Sequence, residues 1–121
     1  PPSFLLESVV GGEKWGRYSF IGMGARRLVE GGRQGAFDRL KAELDRFRPV
    51  DVEGLPIFSG GLVGYFAYDI VREIENLPDR GHEGLGLPDV CFMLADTLVV
   101  FDNFSQRIKV VANVLLDEAT D

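Results

Sequence analysis

A chain of 121 residues has room for one domain with a modest core. At 45% hydrophobic and 26% charged it has the composition of an ordinary globular protein. Its net charge of −6 argues against a protein that tracks nucleic-acid phosphates and leaves no basic patch for an anionic membrane; solubility is the plainest consequence. The single cysteine, Cys91, excludes an intramolecular disulfide and a cysteine metal cluster. The single histidine, His82, lies among glycines and prolines and reads as a surface residue. The longest apolar runs, such as Thr97 to Phe101, are far too short to span a bilayer. No secretory signal is visible, and Pro1 is not a natural start. Leu115 to Asp121 reads like the opening of a helix, so residues 1–121 are expected to be one domain trimmed at both ends.

Ser3 to Val10 reads as a strand, Gly11-Gly12 as a turn, and the aromatic, alternating Trp15 to Ile21 as a second strand, making a hairpin. Ala36, Phe37, Leu40, Leu44 and Phe47 recur at helical spacing, with Arg39, Lys41, Glu43 and Asp45 off that stripe, and Pro49 stops the helix. Leu55 to Pro78 supports two readings. Val63, Phe66, Ala67, Ile70, Val71 and Ile74 fit a helical stripe, but Gly60, Gly61 and Gly64 would each cost about 1 kcal/mol inside a helix. A strand from Phe58 to about Tyr68 is therefore expected, then a short helix capped by Asp69. The glycines suggest close backbone approach or a bulge. After a loop, Val90 to Phe101 and Arg107 to Val114 read as strands of a second hairpin across Asp102-Asn103-Phe104-Ser105. The expected class is α+β: a mainly antiparallel sheet of two hairpins plus a central strand, with one longer and one short helix packed on it.

Candidate chemistry is sparse. Gly60 to Tyr65, "GGLVGY", lacks the Lys-Ser/Thr of a phosphate loop, so structural glycine is the better reading. Asp69, Arg72, Glu73 and Glu75 read as a solvated helix side. A lone His82 supports no Ser-His-Asp set, and no carboxylate pair is placed by the sequence for acid–base work. The segment is not expected to be catalytic.

Glu7 and Ser8 stand out because they interrupt an apolar strand. On a strand they face opposite sides, with Phe4, Leu6, Ser8 and Val10 on one and Leu5, Glu7 and Val9 on the other. A carboxylate there needs a cation or several donors. Either Arg17 supplies the cation across the hairpin, or the polar groups are left free for a small ligand with an amino group and an apolar body.

Leu5-Leu6-Glu7-Ser8, Trp15-Gly16-Arg17-Tyr18-Ser19-Phe20-Ile21-Gly22, Gly60-Gly61-x-x-Gly64-Tyr65-x-x-Tyr68-Asp69 and Pro88-Asp89, in this order, resemble the N-terminal domain of anthranilate synthase component I. The resemblance implies a cytoplasmic parent enzyme of tryptophan biosynthesis. That enzyme converts chorismate to anthranilate and pyruvate, with ammonia from a glutamine amidotransferase subunit. It implies Mg²⁺, bound outside this segment, and chorismate residues in a larger C-terminal domain. It assigns this segment half of a feedback site for L-tryptophan, formed by Leu5, Leu6, Glu7 and Ser8. The other wall, a Pro-Tyr-Met stretch, would belong to the C-terminal domain, and the isolated segment would expose the apolar surface that packs there. Two alternatives stand beside this: aminodeoxychorismate synthase component I of folate synthesis, and a free-standing small-molecule-binding module.

Overall fold

The computed structural model describes residues 2–10, 14–24, 27–78, 81 and 84–116. The expected Gly11-Gly12 turn, His82 and the helix opening at 117–121 lie outside the described residues.

Among the described residues seven strands form two antiparallel sheets. In the first sheet, β1 (Ser3–Val10) pairs with β2 (Lys14–Met23), β2 with β6 (Thr97–Asp102), and β6 with β7 (Arg107–Ala112). The second sheet has β5 (Val90–Ala95) between β3 (Leu28–Gly31) and β4 (Gly61–Phe66). The helix α1 (Ala36–Leu44) follows β3, and a 3-10 helix, Tyr68–Glu73, follows β4. The α+β class and the antiparallel pairing are as expected. The strands divide between two sheets because the apolar run expected as one strand, Val90 to Phe101, breaks at Asp96. The buried Asp96 turns the chain from one sheet to the other, and its carbonyl accepts the Asn113 N–H at 2.8 Å.

Three further differences have physical causes. β3 is short and bounded by Gly31-Gly32, so four residues carried too little alternation to register as a strand. The turn after β4 is 3-10, with Ala67 at its N-terminal boundary and no side-chain cap; Asp69 bonds Arg72 at 2.9 Å instead of capping. Glu43, placed off the apolar stripe by spacing, is buried, and takes Arg27 at 2.9 Å and Arg46 at 3.2 Å.

Two cores result. Ala95, Leu98, Val100 and Val111 pack with Phe4, Tyr18, Phe20, Phe58 and Val63 on the inner face of the first sheet. Ala36 and Leu40 of α1 pack with Val90, Val29, Leu62, Ile70 and Phe92, so both helices sit on the second sheet. Among the described residues no helix is long and apolar enough to cross a membrane.

Candidate functional site

The β1–β2 register pairs Leu5 with Ile21, Leu6 with Phe20 and Glu7 with Ser19, then slips between Glu7 and Val9. Ser8 sits at that slip, pressed on Gly16: a Cβ on Gly16 would overlap the Ser8 Cβ and lie 2.6 Å from its carbonyl oxygen. Glycine is required there for the strands to approach so closely. β1 is also the edge of its sheet, so alternate main-chain N–H and C=O groups point away from β2.

An apolar cleft of about 340 Å³ opens beside this strand. Leu6 and Phe20 line it from the first sheet. Leu62, Val63 and Gly64 of β4 and Phe92 of β5 line it from the second, and Phe58 closes it from the loop before β4. Phe20 and Phe58 meet edge to face, with centroids 5.6 Å apart. Apolar walls of this kind suit a flat hydrocarbon or heteroaromatic group.

The four candidate residues divide between the faces of β1. Leu6 lines the cleft, and Ser8, two residues on, lies against Gly16. Leu5 and Glu7 follow the opposite face, in register with Ile21 and Ser19. All four are exposed. No hydrogen bond or ion pair among the described residues engages the Glu7 carboxylate or the Ser8 hydroxyl. The expected alternative of a Glu7–Arg17 pair is not formed. Arg17 instead holds Asp102, with Nη2 3.1 Å from Oδ2 and Nε 3.3 Å from Oδ1. Asp102 also accepts the Phe104 and Ser105 N–H groups at 3.1 and 3.3 Å. The Arg17 hydrogen bonds, joined by the Ser105 amide, hold the Asp102 carboxyl well below the usual carboxylate range. Arg17 stacks on Tyr18 at 4.7 Å.

Sequence reasoning missed the aromatic wall. Phe20, Phe58 and Phe92 come from three separated segments, and only the glycines of "GGLVGYF" hinted at the close packing there. Gly64 leaves no room for a Cβ, which would overlap the Cys91 carbonyl oxygen. Cys91 itself is a bland thiol: burial, then its bond to Glu30 at 3.3 Å, pushes its pKa up and away from reactivity. Among the described residues no group of three or more His, Cys, Asp or Glu is placed to hold a metal ion.

No family model matches the chain. Curated relatives do. The chain is 41% identical to anthranilate synthase component 1 of Pseudomonas putida, with all of this chain and 28% of the relative covered. It is 43% identical to the probable anthranilate synthase component 1 of Schizosaccharomyces pombe, over 96% of this chain and 24% of that one. For the Acetivibrio thermocellus protein of the same name the values are 38%, 92% and 26%. The crystal structure of anthranilate synthase component I from Streptococcus pneumoniae superimposes with a TM-score of 0.69 at 21% identity, covering 93% of this chain and 28% of that one. The chain thus spans about a quarter of the length of the relatives it matches.

Proposed function

Because the chain belongs with the anthranilate synthase component I family in sequence, we propose that it is the non-catalytic N-terminal part of such a subunit, carrying half of an L-tryptophan feedback site. In this reading the parent enzyme converts chorismate to anthranilate and pyruvate in the cytoplasm. It works with a glutamine amidotransferase subunit, and Mg²⁺ and chorismate are held by the larger C-terminal domain. The relatives' name, component 1, supports a partner subunit.

One observation carries the regulatory part. Leu6 opens onto an apolar cleft while its neighbours Glu7 and Ser8 are polar, exposed and without a partner among the described residues. The indole lies against Leu6, Phe20 and Phe58. The amino-acid end lies at the free edge of β1, within reach of the Ser8 hydroxyl, the Glu7 carboxylate and the unpaired main chain. The C-terminal domain supplies the remaining wall. A ligand bridging two domains shifts their arrangement only by its differential affinity for the two states. A coupling of about 1–3 kcal/mol is enough for ordinary allosteric inhibition.

The test is Ser8→Phe in the full-length subunit. A ring at Ser8 crowds the edge of β1 where the amino-acid end of the ligand is proposed to lie, so the tryptophan needed for half-inhibition rises by tenfold or more, about 1.4 kcal/mol. Inhibition is read relative to each variant's own uninhibited rate. An unchanged half-inhibiting concentration contradicts the assignment of Ser8.

A further inference from the structure

The loop that closes the cleft is fastened beside its aromatic ring by a single side chain. Residues 49–60 lead to β4 without helix or strand. Phe58, in this loop, sets its ring edge to face on Phe20 and lines the cleft. Among the described residues two side chains bond the loop's main chain. Lys109 Nζ donates to the Gly54 carbonyl at 2.7 Å, and Asn113 Nδ2 donates to the Ser59 carbonyl at 2.6 Å. Gly54 lies well before Phe58, whereas Ser59 is the next residue.

Asn113 directly follows β7. Its main-chain N–H bonds the Asp96 carbonyl at 2.8 Å, and its Nδ2 reaches the same carbonyl at 3.1 Å. Asp96 is where the chain passes from the second sheet to the first. One side-chain amide thus joins that passage to the cleft loop. Both acceptors are carbonyl oxygens, so the NH2 end of the amide is the end that fits, and its two N–H groups match the two carbonyls. Gly60 makes the reach possible. A Cβ there would lie 2.8 Å from Asn113 Nδ2 and 3.2 Å from the Ala95 carbonyl oxygen, and its φ of 155° favours glycine.

We propose that Asn113 is a positioning residue for the cleft: its amide holds the loop so that the Phe58 ring stays in place as the closing wall, and the affinity for the ligand depends on it. Asn113 is not in the wall itself, so its effect passes through Phe58. A ligand that needs the wall closed loses apparent affinity in proportion to the time the ring is elsewhere. Ordering the loop beforehand spares the ligand that cost. Asn113 is exposed, so water replaces part of what its loss removes and the effect is modest. The inference rests on the reading of this cleft as the seat of tryptophan.

The experiment is a double-mutant cycle in the full-length subunit: unsubstituted, Asn113→Ala, Phe58→Leu and both together. Tryptophan inhibition is read against each protein's own uninhibited rate. Hydrogen–deuterium exchange of residues 58–61 is read without tryptophan. Asn113→Ala should raise the half-inhibiting concentration about fivefold and speed exchange in that segment at least tenfold. In the Phe58→Leu background the same substitution should change the half-inhibiting concentration less than twofold, because the ring it positions is gone. A purely structural role gives the same factor in both backgrounds and overturns the proposal. So does unchanged exchange, or unchanged inhibition in Asn113→Ala while Phe58→Leu weakens it. Gly60→Ala, which displaces the amide from the other side, keeps Asn113 and should also raise the half-inhibiting concentration; a value equal to that of the unsubstituted subunit contradicts the proposal even where Asn113→Ala fails to fold. Phe58→Leu and Ser8→Phe both leaving inhibition unchanged ends the reading of the cleft as the tryptophan seat, and the proposal with it. Failure confined to the Asn113 and Gly60 variants ends only the proposal.

Discussion

Asp102 shows how much a single residue organises. It closes the β6–β7 hairpin by accepting two successive amide N–H groups, and it ties that hairpin to β2 through Arg17. Its pKa is depressed in the fold, so the unfolded chain binds the proton more readily. Stability from the ionised form is therefore fully present above about pH 4, the ordinary carboxylate range, and is lost as pH falls towards the depressed folded value. The thermal midpoint of the parent protein should drop through this acid window, and Asp102→Asn should flatten that part of the profile. Equal acid slopes for the two proteins would show that the Arg17 bonds do not set it. The sequence displayed the anomaly at Glu7 and Ser8 and offered a Glu7–Arg17 pair as one of two readings; the fold gives Arg17 to Asp102 instead. Asp102 is 85 residues away, and only the β2–β6 pairing brings it closer to Arg17 than Glu7 is.

At the scale of the element, α1 was legible because its apolar spacing is regular and Pro49 follows it. Its main surprise is Glu43, which spacing assigned to water, while Phe37 and Leu44 of the expected stripe are exposed. Two guanidiniums, each about half exposed, cover the buried carboxylate from Arg27 before β3 and Arg46 beyond the helix. Either cation alone can satisfy it. Arg27→Gln or Arg46→Gln should thus cost under about 1 kcal/mol, as exposed ion pairs do. The double variant strands the carboxylate and should cost about 2–3 kcal/mol, below the ~3–5 kcal/mol of a fully buried pair because the guanidiniums are partly in water. Urea unfolding of the four proteins checks this, and strict additivity would contradict it. The strand signals were clear wherever Val, Phe and Tyr alternate. The break at Asp96 was hidden because five apolar or small residues on each side mask one acid.

For the whole molecule, the motifs pointed to the relatives the chain resembles and to the α+β class, but not to the division into two sheets. That division decides the candidate site. One continuous sheet would have no cleft; two sheets meeting beside β1 place Leu6 and Phe20 opposite Leu62, Val63 and Phe92. It also leaves Leu6 and Glu7 on opposite faces of an edge strand, so a ligand touching both must sit at that edge. The alternation was readable from the sequence; the edge position was not, since pairing between β2 and β6 spans some eighty residues.

Hydrogen–deuterium exchange of the full-length subunit, with and without saturating L-tryptophan, locates the ligand most directly. The cleft assignment predicts slower exchange in β1, Ser3–Val10, and in the segment from Phe58 to Phe66, with β7, Arg107–Ala112, unchanged. Tryptophan that binds while both of those segments exchange at their original rates would contradict it.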